Sequence, residues 1–221
     1  MIETYVYMKQ SFDDSVARLL NAAESLFGDK GFHPTSIRDI TSSAKANLAA
    51  VNYHFGSKEG LLAAVLARHT DPINQERLRL LESFEAEAGG QPLSVERVLE
   101  AFLAPTARFL SASPSFMRFA GRMISEPDPK LRRILIERFE FVAHRFVAAL
   151  RKSLPDVPER EIWLGFSFVI GAMVHSWTHR ADLEMAAGQS AGHLDPNHAI
   201  DCLIAFAAAG FRAQAENGEA A

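Results

Sequence analysis

The sequence predicts an all-α protein of about nine helices, and three observations carry that prediction. Apolar residues recur at the 3.6-residue spacing of amphipathic helices, whereas alternating apolar and polar runs bounded by turns do not recur. Helix starts are marked: Asp128-Pro129 and Asp195-Pro196 each set an N-cap residue before a proline at the first helical position. The segments are separated by turn-forming residues, most clearly Gly89-Gly90-Gln91-Pro92.

Taken in order, Val16, Leu19, Leu20, Ala23, Leu26 and Phe27 form one apolar face of a first helix, and Gly31 follows where a left-handed cap is expected. Residues 1–12 read as a flexible arm, and Met8 is equally compatible with an alternative start. Ser36 is placed as an N-cap, with Asp39 three residues on, in a capping box where Asp replaces Glu. It opens a short helix from Ile37 to Ser43 with Ile37 and Ile40 inward. Ala44-Lys45-Ala46-Asn47 is the turn, and Asn47 caps a second short helix, Leu48 to His54. Ser57 caps a fourth helix reaching Ala88, and Pro72 in its middle is expected to bend or break it. Further helices are expected over 94–111, 115–125, 129–153, 159–182 and 196–215, with a loop from Ala186 to Leu194 and a disordered tail over 217–221.

Composition narrows the function classes. The 221 residues are 48% hydrophobic and 23% charged, enough for a core in one or two domains. The net charge is −4, and residues 1–60 hold six Lys/Arg against seven Asp/Glu, so composition gives no support to nucleic-acid binding; a basic surface has to come from local placement. The one cysteine, Cys202, excludes an internal disulfide and a thiolate metal cluster and fits a reducing cytoplasm. It lies on an apolar stripe and reads as inert core. No signal peptide and no apolar run of membrane-spanning length is evident, so a cytoplasmic protein without membrane partners is expected. His175 and His179, four apart with Asp182 a turn further on, have a spacing that can hold a divalent metal, but no third ligand is evident. The reading is therefore no metal, no cofactor and no catalytic residue.

Two short helices joined by a tight turn, with a longer helix before them, make a unit that can read DNA. The first short helix braces on the phosphate backbone and the second projects side chains into the major groove. Leu19, Ala23, Phe27, Ile37, Ile40, Val51 and Leu62 supply its core, leaving Leu48, Ala49, Ala50 and Asn52 outward. The run Gly31-Phe32, Thr35-Ser36-Ile37-Arg38-Asp39-Ile40 and Val51-Asn52-Tyr53-His54-Phe55-Gly56-Ser57-Lys58-Glu59, with Leu61-Leu62, closely resembles the TetR family of one-component regulators over about residues 14–66. The resemblance implies a homodimer, with a DNA-binding domain over 13–66 and a ligand-binding and dimerising domain over 67–216. It implies phosphate contacts from Thr35, Ser36, Tyr53 and Lys58, and from Arg38 to phosphate or base. Asn52 is the candidate reader of a base edge, with Leu48, Ala49 and Ala50 against thymine methyls. Asn47 and His54 complete the set. The position in the turn that usually carries glycine is Lys45, which costs about 1 kcal/mol in a left-handed conformation and adds a positive charge near the DNA.

In the second domain, small residues on the helix starting near Pro158 (Gly165, Gly171) and a stripe on the last helix (Ile200, Leu203, Ile204, Ala207, Phe211) are candidates for a four-helix dimer interface, with an internal core as the alternative. The middle helices are rich in phenylalanine. Phe116-Met117-Arg118-Phe119 with Gly121-Arg122 resembles a TetR branch associated with fatty-acid or acyl-CoA sensing. Candidate ligand contacts are Phe102, Phe109, Arg118, Phe119, Arg122, Phe139, Phe146, Phe166 and His175, although structural ion pairs with Glu126, Asp128 or Glu140 are the favoured reading of the two arginines. The leading expectation is a repressor that binds an inverted-repeat operator as a homodimer and is released by a small apolar or fatty-acyl effector. The alternatives are a DNA-binding regulator without a small-molecule ligand and a helical metal-dependent enzyme.

Overall fold

The computed structural model describes residues 2–110, 114–124, 126–188 and 195–218. They form α1 (Ile2–Lys30), α2 (Ile37–Ala44), α3 (Leu48–Phe55), α4 (Lys58–Glu87), α5 (Val95–Leu110), α6 (Pro114–Ile124), α7 (Pro129–Ser153), α8 (Glu159–Thr178), α9 (Arg180–Ala187) and α10 (Pro196–Gly218). No strand occurs among the described residues, and none of their helices is long and apolar enough to cross a membrane.

Three local features differ from the expectation. The helix begins at Ile2 rather than after an arm, since residues 2–27 contain neither glycine nor proline to interrupt it. The helix expected over 159–182 is broken at His179, whose φ of −116° and ψ of 19° leave helical geometry; the Thr178 hydroxyl meets its Nδ1 at 2.7 Å. Helix continues to Ala187, so only the start of the expected loop is described, and residues 189–194 lie outside the described set. Pro72 lies inside α4 without ending it.

The chain divides into two compact units, Met1–Thr70 with Pro114–Arg138, and Asp71–Ser113 with Phe139–Ala221. The first therefore contains more than α1 to α4, because α6 packs on α1. Phe27 and Phe119 stack at 6.4 Å, and Arg118 and Arg122 hold the end of α1 through the Asp29 carboxylate (3.5 Å) and the Asp29 carbonyl (2.9 Å). Periodicity within one helix does not encode which distant helix it meets, which is why the sequence assigns α6 to the second domain. The first unit is also pinned by a buried carboxylate. Glu24 on α1 accepts from Arg68 and meets His69 Nε2 at 2.7 Å, while the His69 ring stacks on Phe116 at 4.0 Å.

The second unit is one apolar cluster drawn from α4, α5, α7, α8 and α10. At its centre the Phe102 ring lies 5.2 Å from Phe146 and 4.8 Å from Phe166. The Phe211 ring seats against Gly165, where a Cβ would come within 2.4 Å of it.

Candidate nucleic-acid interface

The two short helices are positioned by bonds that sequence alone dictates. At the start of α2 the capping box is complete. The Asp39 N–H donates to Ser36 Oγ (3.1 Å), and the Ser36 N–H donates back to the Asp39 carboxylate (2.9 Å). The Ser36 hydroxyl also donates to that carboxylate at 2.7 Å. These bonds from Ser36, and then the charge of Lys30, hold the Asp39 carboxyl below its ordinary range. Lys45 closes α2 with φ 49° and ψ 46°, the left-handed conformation expected of that position. Arg18 on α1 donates to the Ala44 carbonyl at 3.1 Å, so the last turn of α2 is tied from outside as well.

Asn47 caps α3 by accepting from the Ala49 N–H at 3.0 Å. Val51 is fully buried and fixes which face of α3 turns inward. Leu48, Ala49, Asn52 and Tyr53 are consequently exposed, Tyr53 to 76%, with Ala50 and His54 half-buried. Residues at i, i+1, i+4 and i+5 share one face of a helix, so these four side chains form a single outward ridge. The Tyr53 and His54 rings meet edge-on at 5.2 Å.

At the start of α4, Ser57 Oγ accepts from the Gly60 N–H at 3.0 Å. A Cβ on Gly60 would lie 2.0 Å from the Phe55 carbonyl oxygen, so only glycine lets α4 begin this close to the end of α3. Lys58 is half-buried, with Nζ 4.1 Å above the Phe32 ring and 3.5 Å from the His33 carbonyl. Burial lowers its pKa, partly offset by Glu59. Arg38 and Lys45 are exposed. Arg38, Lys45 and Lys58 thus supply the positive charge that composition does not reveal.

Thr35 is a correction. It is fully buried, and its hydroxyl donates to the Gly31 carbonyl at 2.7 Å, so it closes the α1–α2 connection and its hydroxyl is unavailable to phosphate. Ser36 is exposed, but its hydroxyl is engaged in the capping box. Nothing in the sequence pattern marks Arg18, Phe32 or Gly60 for these roles, since a cap from another helix, a cation's seat and a close backbone approach have no local signature.

The expected ligand residues do not converge. Phe102, Phe146 and Phe166 meet in the core of the second unit, whereas Phe119, Arg118 and Arg122 belong to the first. Both arginines meet Asp29, and Glu126 and Asp128 face His33 at 3.8 and 3.2 Å. Phe139 is half-buried, His175 is exposed with its ring stacked on His179 at 4.6 Å, and the Phe109 side chain lies outside the described set.

Of the expected interface residues, Gly165, Ile200, Ala207 and Phe211 are buried within the chain, while Leu203 and Ile204 are half-buried and Gly171 is exposed. Between α8 and α10 lies an apolar groove of about 220 Å³ bordered by Phe168, Ala172, Leu203, Phe206 and Gly210. Phe168 and Phe206 are 66% and 77% exposed. Cys202 is exposed rather than core, with Sγ 3.6 Å from His198 Nε2. Two positions after the buried Ile200, it falls on the opposite side of the helix.

Two family models match the chain, and they divide it along the sequence, so that α6 falls in the second match although it packs in the first unit. Residues 19–65 match the model of the bacterial regulatory proteins of the tetR family, and residues 100–210 match that of the tetracyclin repressor-like C-terminal domain. An HTH-type transcriptional repressor of Mycobacterium tuberculosis is 40% identical over 88 residues, 40% of this chain and 42% of that protein. The regulator UidR of Escherichia coli is 38% identical over 64 residues, 25% of this chain and 33% of UidR. The match thus spans about two fifths or less of the length of these curated relatives. Among solved structures, the fatty acid degradation regulator FadR from Bacillus halodurans superposes with a TM-score of 0.63 over 90% of this chain and 96% of its own, at 13% identity. A TetR-like regulator from Rhodococcus gives 0.54 over 90% and 96%, at 23% identity. At such identities the likeness is one of fold.

Proposed function

The chain belongs to the TetR family of bacterial transcriptional regulators, and from that membership we propose that it is a ligand-responsive repressor that binds an inverted-repeat operator as a homodimer. The observation that carries the proposal is the ridge of Leu48, Ala49, Asn52 and Tyr53 on α3, held outward by buried Val51 and by the Asn47 cap. Asn52 reads a base edge, Leu48 and Ala49 contact thymine methyls, and Tyr53, Arg38, Lys45 and Lys58 bind phosphate. Ser36 contributes through its place at the start of α2 rather than through its hydroxyl.

The apolar groove between α8 and α10 supports self-association. Burying Phe168 and Phe206 against a second copy removes apolar surface from water, which stabilises at roughly 25 cal/mol per Å². A two-fold pairing of this face presents two α3 ridges, and hence reads two half-sites of an inverted repeat. The M. tuberculosis relative named as a repressor favours repression, and the fold shared with a fatty acid degradation regulator favours a small apolar or fatty-acyl effector. Such an effector acts in the second unit by binding one conformation of the dimer more tightly than another.

Selection of bound sequences from random duplex DNA, at a fixed salt concentration, tests the reading. Enrichment of an inverted repeat by a dimeric protein is expected. A folded dimer that enriches nothing, before and after unfolding and refolding to remove bound ligand, refutes it.

A further inference from the structure

Among the described residues Arg77 is the largest fully buried side chain, 2% exposed, and it lies in the second unit over the Phe102 ring. Its Nε donates to the Phe102 carbonyl at 2.8 Å, one Nη to Asn74 Oδ1 at 3.1 Å and the other to Thr106 Oγ1 at 2.8 Å. The guanidinium carbon lies 3.9 Å above the Phe102 ring. All of these partners are neutral. No carboxylate of the described residues forms an ion pair with Arg77; Glu76, beside it in sequence, pairs with Arg79 at 2.7 Å. The remaining direction of the second Nη is met only by the Met173 sulfur at 3.8 Å, a weak acceptor on a flexible side chain.

A buried cation without an anion is destabilising, and cores of this kind normally hold such charges as pairs or replace them with apolar residues. Burial lowers the Arg77 pKa to about 9, which still leaves it charged at neutral pH. The fold therefore keeps a full positive charge in an apolar interior, and the described residues supply it with hydrogen-bond acceptors but no counter-ion. We propose that Arg77 is the head-group anchor of the effector site: the ligand is an amphipathic monocarboxylate whose carboxylate takes the place of the Met173 sulfur on the guanidinium. One charge matches one charge, so a carboxylate neutralises the site, whereas a phosphate dianion leaves a buried negative charge. The hydroxyl of Thr106 is placed to donate to the same carboxylate, and the ligand's apolar body replaces part of the apolar packing around Phe102. Thr106, Asn74 and Met173 are positioning residues in this arrangement. The inference deepens the regulator reading and rests on it for the meaning of the word effector.

The test uses the full chain, free of DNA, with two matched probe pairs: decanoate against decanol, and phenylbutyrate against phenylbutanol. Binding is read by tryptophan fluorescence and by the shift of the thermal midpoint. At least one acid should bind the wild-type protein about tenfold or more tightly than its alcohol, the size of one charge-assisted hydrogen bond. Arg77→Lys should keep a preference for the acid, and Arg77→Met should bring the two probes to near parity. Should Arg77→Met fail to fold, Arg77→Gln, which retains a donor without the charge, carries the same comparison. Equal binding of acid and alcohol by the wild type, binding of no probe, or an acid preference surviving in the uncharged variant overturns the proposal. None of these outcomes touches the operator selection, so failure here and failure of the regulator reading are separable.

Discussion

Lys58 in the first unit and Arg77 in the second each lie over a phenylalanine ring, at 4.1 Å from Phe32 and 3.9 Å from Phe102. Both donate to a backbone carbonyl, and burial lowers the pKa of both. The difference is water. Lys58 is half-buried with Glu59 beside it, so its charge is steadied on an aromatic face and remains within reach of a polyanion outside. Arg77 is enclosed, and only an anion that enters the core can meet it. The same pairing of cation and ring thus serves an open electrostatic surface in one unit and a closed, selective one in the other.

Variants that remove one side of this contrast should separate stability from binding. The largest expected effect is on the dry side: Phe146→Ala, which empties the space beside the Phe102 ring under Arg77, should cost about 3–5 kcal/mol of unfolding free energy in denaturant titration. On the wet side Asn52→Ala should leave unfolding unchanged but weaken operator binding by about 1–3 kcal/mol, with discrimination lost at one base position. Lys58→Ala sharpens the contrast further. Affinity should fall uniformly across sequences and the slope of log K against log salt should become shallower by about one unit per half-site, whereas a lysine that only packs on Phe32 would leave the slope unaltered. Lys45→Gly should relieve the left-handed turn and raise stability by up to about 1 kcal/mol, while weakening DNA binding through the lost charge. The smallest effect concerns acid. The carboxyl of Asp39 has a folded pKa below 3.8, so its contribution is complete above that value and is lost as pH falls through the folded pKa. Asp39→Asn should therefore flatten a shallow loss of α2 helicity, followed by circular dichroism, in the acid range.

Much of the first unit was legible because its determinants are local. The Ser36–Asp39 box, the Asn47 and Ser57 caps, the left-handed Lys45 and the inward Val51 all follow from residues within four positions of one another. What was illegible depends on long-range placement. The apolar pattern of α6 says that it packs, but not that it packs on α1. Thr35 looks like a surface hydroxyl until the fold brings it to the Leu26 carbonyl, nine residues back, at 3.3 Å. Arg77 stands between Glu76 and Leu78 in an ordinary amphipathic stretch, and only the fold shows that it points inward without a carboxylate. The stripe on α10 fits a dimer interface or an internal core equally by its pattern; the fold turns Ile200, Ala207 and Phe211 into the chain's own core and leaves Leu203 and Ile204 half-buried. Periodicity alone does not say which part of a wide stripe the chain's own core takes.

A helix opens first where a rung of its ladder is missing. In α4, Pro72 has no N–H to offer the Arg68 carbonyl, and the division between the units falls after Thr70, two residues away. Upstream, Arg68 and His69 are fastened to Glu24; downstream, Asn74 and Arg77 are fastened to one another and to α5. With both flanks clamped, and the Thr70 hydroxyl holding the Leu66 carbonyl at 3.0 Å, the missing rung makes the backbone at the proline the expected weak point of this long helix. Amide exchange along α4 should accordingly be slow on both sides and fast at that seam, giving one continuous helix two separate lifetimes.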